Sequence, residues 1–178
     1  MIKEINVKLQ DLMPIEDWAA LEAELTEKFG LQATAYNADG LSFSGKPRFV
    51  NDLCRAIKAN KTSLSSICAP GNQNFMAQAK STGKTVIAEC DAGFVKVAVP
   101  VFVAGEFLGT VGGCGRLPVG GEVETFLVTK TAGLSDDEIA GLSRGIREIS
   151  DDEARNMAAY IEERLALIVA RAQKSPGN

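Results

Sequence analysis

The sequence predicts an α+β fold, an antiparallel sheet flanked by helices and finished by C-terminal helices. Three observations predict it: amphipathic helical spacing at both ends of the chain, two long apolar strands joined by a tight turn near the middle, and helices that follow those strands instead of alternating with them. With 178 residues there is material for one good hydrophobic core and too little for two. Residues 1–173 are therefore read as a single domain and 174–178, "KSPGN", as a linker.

The elements follow in order. "MPIEDWAALEAELTEKFG" has Pro14 near a first turn, Ile15, Trp18, Leu21, Leu25 and Phe29 at helical spacing, and Gly30 where a left-handed cap is favoured. "LQATAYNADGLSFSG" reads as two short strands around a turn at Asp39 and Gly40. "FVNDLCRAIKAN" puts Phe49, Leu53 and Ile57 on one helical face with Cys54 pointing inward. "KTSLSSICAPGNQNF", rich in Ser, Asn, Pro and Gly, reads as a loop carrying Cys68, followed by a helix from about Asn72 that stops at Gly83.

Strands resume at "TVIAEC", and "FVKVAVPVFV" is a nearly continuous apolar run suited to a central strand covered on both faces. Pro100 dissents, since it removes a ladder donor and marks an edge or bulge. "VAGE" supplies the hairpin turn and "FLGTVGGCG" the return strand, its glycines leaving room for a close backbone or a ligand. Beyond it, Val123, Phe126, Leu127 and Thr131 have helical spacing, and Ser135 with Glu138 forms a capping box. Ser150 with Glu153 forms a second box at the head of the longest helix, where Ala154, Met157, Ala158, Ile161, Leu165, Ile168 and Ala172 make one stripe. That stripe either packs on its own domain or pairs with a second copy of the chain, and a homodimer is expected because a small sheet covers a long stripe poorly.

Composition narrows the chemistry. The formal charge of −4 with scattered basic residues argues against direct nucleic-acid binding, and no apolar run approaches a membrane span. The opening "MIKEINVKLQD" lacks the apolar region of a signal peptide, so a cytoplasmic location is expected. The chain has no histidine, which removes the commonest general base and neutral metal ligand. Catalysis is not expected; a thiol enzyme using Cys68 or Cys90, activated by Lys84 or Lys96, is the weaker alternative. "GTVGGCG" lacks the Gly-Lys-Ser/Thr ending of a phosphate loop.

The residues "LCRAI", "SICAPGN" and "AECDAGFVKVAVPVFVAGEFLGTVGGCG" together resemble the sensory domain of PocR. The resemblance spans about Phe29 to Phe126 and is sharpest at Cys90-Asp91-Ala92-Gly93, the Pro-containing strand, Gly105 and Gly109. It implies a PAS/GAF-like ligand-binding module, placed before the output domain of a bacterial transcription regulator or signalling kinase and sensing a small organic molecule such as a short diol. Where relatives carry a polar residue after the glycines, this chain has Cys114 and Gly115, which tells against a diol and in favour of a bound metal.

Candidate ligand-binding residues are accordingly Tyr36, Cys54, Cys68, Phe75, Cys90, Asp91, Gly93, Phe94, Gly112 and Cys114. Phe43, Val97 and Val99 are further candidates for the pocket wall. "CDAG" can serve as a pocket mouth, as a simple turn, or as both. Cys54, Cys68, Cys90 and Cys114 contain no C-x-x-C pair, with thirteen, twenty-one and twenty-three residues between neighbours. They are read as pocket-lining or packing residues, as a set for reversible thiol redox, or as a four-thiolate site for zinc or an iron–sulfur cluster. Cys68 is the expected reactive thiol if its loop is exposed.

Overall fold

Residues 7–174 are described by a computed structural model. Pro14 precedes α1 (Ile15–Phe29), which buries Trp18, Leu21 and Leu25 and leaves Ile15 exposed. Gly30 caps it at φ 65°, its N–H returning to the Thr26 carbonyl at 2.9 Å. β1 (Gln32–Asn37) follows, but the second expected strand shrinks to one bridge between Tyr36 and Ser42. Side chains hold that segment instead: the Ser44 hydroxyl donates to the buried Glu22 carboxylate, and Phe43 meets Trp18 edge-on at 5.6 Å.

Asn51 caps α2 (Asp52–Ala59), accepting the Cys54 N–H on its side-chain oxygen, and Leu53, Cys54 and Ile57 are buried as their spacing predicts. The expected loop around Cys68 is helical. Asn60 caps the single turn α3 (Lys61–Ser63), a π-helical turn Leu64–Cys68 continues it, and α4 (Ala69–Thr82) follows without a break. Pro70 sits in the first turn of α4, directly after the π-helical turn, and fully buried Ile67 anchors that turn.

β2 (Val86–Glu89), β3 (Val95–Val103) and β4 (Glu106–Pro118) join β1 in an antiparallel sheet of order β1-β4-β3-β2. Ala104 and Gly105, both at positive φ, form the tight turn between β3 and β4. β2 begins at Val86 opposite Ala98, so at Pro100 β3 is paired only with Thr110 of β4, which meets the edge condition that proline requires. After α5 (Thr125–Ala132) and α6 (Asp136–Leu142), the short β5 (Glu148–Ile149) runs parallel to the end of β4 and leads into α7 (Asp151–Lys174). Both capping boxes form, Ser135 with Glu138 and Ser150 with Glu153.

The sheet has two different faces. Ala33, Ala35, Val97, Val99 and Val111 point to α1 and α7 in the main core, where Met157, Ile161 and Leu165 of α7 are buried. Each of the Val, Ile, Leu and Met side chains among them contributes about 1.5–3 kcal/mol through burial. The α7 stripe is thus covered by the chain's own sheet, so the covering surface assigned above to a second copy lies within the chain itself. A second cluster joins Leu53, Ile57, Ile67, Phe94, Val128 and Ile139 beneath α2, α5 and α6. Among the described residues no helix is long and apolar enough to cross a membrane. Past Lys174, the expected linker lies outside the described residues.

Candidate functional site

The other face of the sheet carries Thr34 and Tyr36 from β1, Lys96 and Ala98 from β3, and Thr110, Gly112 and Cys114 from β4. Lys96 and Cys114 are direct cross-strand partners, so their side chains leave the sheet together. Between this face and α2, the π-helical turn and α4 lies a hollow of about 30 Å³. Cys54, Cys68, Cys90 and Cys114 all line it, with Phe94, Ile57, Ile67, Gly71, Asn72, Lys58 and Lys96. A neighbouring hollow of about 20 Å³ meets it at Lys96 and Cys114 and adds Tyr36 and Gly112 to the walls. Together they have room for a few water molecules.

The chain thus brings thiols from four elements to one place. Cys54 comes from the first turn of α2, Cys68 from the end of the π-helical turn, Cys90 from the turn after β2 and Cys114 from β4. None is in a disulfide. Asn51 fixes the relation between α2 and β4: its side-chain nitrogen donates to the Gly115 carbonyl at 2.7 Å and lies 3.4 Å from the Cys54 sulfur.

The remaining candidates divide. Asp91 is solvent-exposed and is not among the residues that line the hollow. Gly93 is a turn and packing residue: it has φ 88°, and a Cβ there would stand 2.6 Å from the Glu122 carbonyl oxygen. Phe75 is buried against Ala79, Val86 and Ala98 and reaches the site only through Lys96, whose Nζ stands 5.6 Å from its ring centre. Phe43 and Val99 belong to the opposite core, and Val97 only edges the smaller hollow. Lys58 and Asn72 were not singled out from sequence. Lys58 sits one helical turn after Cys54, and that i, i+4 spacing is the signal that places it on the same face.

The electrostatics favour neutral thiols. Burial, helped by Cys114, pushes the Cys54 thiol from 9.0 up to about 12. Burial likewise pushes Cys68 up to about 11 and raises Cys90. Cys68 is therefore not the reactive loop thiol expected, and Lys84 is exposed, away from the hollow. A thiolate fraction lower by about 10³ at Cys54 and about 10² at Cys68 is partly offset by the higher basicity of each thiolate, with a Brønsted slope of roughly 0.4–0.5. Alkylation at neutral pH, followed by peptide mass spectrometry, is expected to be at least about 30-fold slower at Cys54 and about tenfold slower at Cys68 than in the unfolded chain. Rates equal to those of the unfolded chain would contradict the burial described.

Metal binding by the same sulfurs needs them equidistant from one centre, at about 2.3 Å for zinc. Among the described residues no group of three or more His, Cys, Asp or Glu side chains is placed to hold a metal ion. The thiols line the walls of a hollow without converging on a point, and the geometry does not fit the four-cysteine site for zinc or an iron–sulfur cluster.

Two links run from the hollow toward α7. β4 continues from Cys114 to Arg116, a buried guanidinium that donates to the Phe29 carbonyl at the end of α1 at 2.8 Å and to the Glu148 carbonyl of β5. It also pairs with Glu153 in the first turn of α7 at 3.2 Å. The Leu117 N–H donates to the Arg147 carbonyl at 3.1 Å, so the same strand holds the entry to α7 by its backbone.

A family model described as the sensory domain found in PocR matches residues 11–173. No curated protein and no solved structure matches the chain. The matched span begins before α1 and ends within the last turn of α7, so it takes in both the thiol-lined hollow and the helix clamped by Arg116.

Proposed function

The chain belongs to the family of sensory domains found in PocR, and from that premise we propose that it is a non-catalytic module whose occupancy by a small organic molecule is relayed to an output domain. The observation that carries this reading is the hollow lined by four cysteines and two lysines, from which β4 runs on to the clamp on α7. A guest entering between the sheet and α2 would press on Cys114, and Arg116 two residues later would carry the displacement to the start of α7. Ligand would then shift the balance between two packings of strand and helix, by no more than its difference in affinity for them. The fuller protein would be a cytoplasmic signalling kinase or transcription regulator. Homodimerisation would use the outer side of α7, where Leu167 is exposed, because the inner stripe is occupied.

Gly71 offers a clean test. It lines the hollow from the first turn of α4, and a Cβ there would meet nothing within 4 Å. Gly71→Ala is expected to raise stability by roughly 0.5–1 kcal/mol through helix propensity. Gly71→Leu should fill the hollow with little loss of fold. A broad screen of neutral and charged metabolites should yield compounds that raise the melting temperature of the native chain and not of Gly71→Leu. A screen without a single shift would count against the sensor reading, and equal shifts in both proteins would place the ligand elsewhere.

A further inference from the structure

Taking the sensor reading as its basis, we propose that the guest is a small carboxylate, held between the ammonium groups of Lys58 and Lys96 with its short hydrocarbon body against the apolar wall of the thiol-lined hollow. The ion pairs among the described residues are Arg55–Asp52, Arg116–Glu153, Arg155–Asp152 and Arg164–Glu24. Neither lysine takes part in one, and no Asp or Glu lines either hollow. Two cations therefore share a partly enclosed space without a counter-charge, in a protein whose overall charge is −4.

Such an arrangement is unfavourable unless something answers it, because a cation removed from water needs a partner. Lys96 is answered in part, by the Asn72 side-chain oxygen and by the rings of Tyr36 and Phe75 at 5.7 and 5.6 Å. Among the described residues Lys58 has the Phe49 ring, at 5.8 Å, and the thiols it faces. Burial acts to lower the Lys58 pKa and is outweighed by Cys114, Tyr36, Cys68 and Cys54, so the net direction is upward. Those groups act on Lys58 only once they ionise; at neutral pH Cys54 and Cys68, held up to about 12 and 11 by burial, are protonated and supply Lys58 with no counter-charge.

The apolar remainder of the wall selects among anions. Ile57, Ile67 and Phe94 offer nothing to a fully polar ion such as phosphate, which would surrender hydration on most sides. A carboxylate needs ammonium partners at one end only and buries its alkyl part at about 0.8 kcal/mol per CH₂. Room for a few water molecules restricts that part to a short chain.

The test is calorimetric titration and thermal shift with acetate, propionate and butyrate, against acetamide, propionamide and butyramide as neutral isosteres and against inorganic phosphate. At least one carboxylate is expected to bind, with its amide and phosphate weaker by about tenfold or more. Lys58→Met and Lys96→Met should each weaken that carboxylate by about tenfold or more, while Lys58→Arg keeps binding within about threefold. The apo variants' own melting temperatures separate loss of binding from loss of fold. Amides binding as tightly as carboxylates, unchanged affinity in both methionine variants, or no binding by any of the carboxylates would overturn the proposal. A neutral compound that stabilises the native chain and not Gly71→Leu would overturn this charge assignment and leave the sensor reading intact.

Discussion

Gly112→Ala is expected to destabilise the domain by about 4 kcal/mol or more, enough to unfold a marginally stable fold. A Cβ built at Gly112 would stand 1.8 Å from the Val97 carbonyl oxygen and 3.1 Å from the Ala98 Cα, both backbone atoms of the neighbouring central strand. Backbone in the middle of a sheet cannot step aside as a side-chain tip can, so the strands would have to part. Gly109 is in the same position against β1: its Cβ would lie 2.0 Å from the Tyr36 carbonyl oxygen, at φ 143°. Gly105, at φ 85° in the hairpin turn with nothing within 4 Å, provides the control. Its alanine variant should lose only the roughly 1–2 kcal/mol of a left-handed residue. Urea unfolding of the three variants measures the contrast, and a loss at Gly112 no larger than at Gly105 would show that the strands are not as close as described.

Arg116→Met is expected to cost about 2–4 kcal/mol and to separate binding from relay. The Phe29 and Glu148 carbonyls lose a charged donor, at about 1–2 kcal/mol each when left without a partner. The pair with Glu153 adds little, because Glu153 is half-exposed. Methionine keeps most of the packing volume and removes the buried Nε, which has no hydrogen-bond partner among the described residues. The hollow is lined by neither Arg116 nor its partners, so ligand affinity should change by less than about threefold. Hydrogen exchange in the first turns of α7 should respond to ligand in the native chain and not in the variant. A response of equal size in both would remove Arg116 from the route.

Much of this architecture was legible in the sequence because it is written in local chemistry. The apolar run from Val95 and the Ala104-Gly105 turn announce the hairpin, and Ser135 with Glu138 and Ser150 with Glu153 announce two helix starts. Cys68 was misplaced for a physical reason: Ser, Asn, Pro and Gly read locally as loop, yet the Asn60 cap and the first-turn position of Pro70 suit a helix, and burial of Ile67 decides between them. The α7 stripe was legible as a stripe and not as to what covers it, which depends on how Val97 and Val99 face it across the sheet. Sheet register was equally out of reach, since it is register that sets Lys96 opposite Cys114 and so gathers the site. Lys58 escaped because a lysine on a short helix is ordinarily a solvated residue. Only the fold shows it turned toward sulfur.

The account rests on a guest entering the space among Cys54, Cys68, Cys90 and Cys114. Nuclear magnetic resonance of protein carrying isotope-labelled cysteine, titrated with propionate and followed at the four side-chain methylene signals, addresses it directly. All four signals should move together and saturate along one curve, with that movement absent in Gly71→Leu. Saturable stabilisation by propionate with the four cysteine signals unmoved would put the ligand outside this hollow and contradict the account.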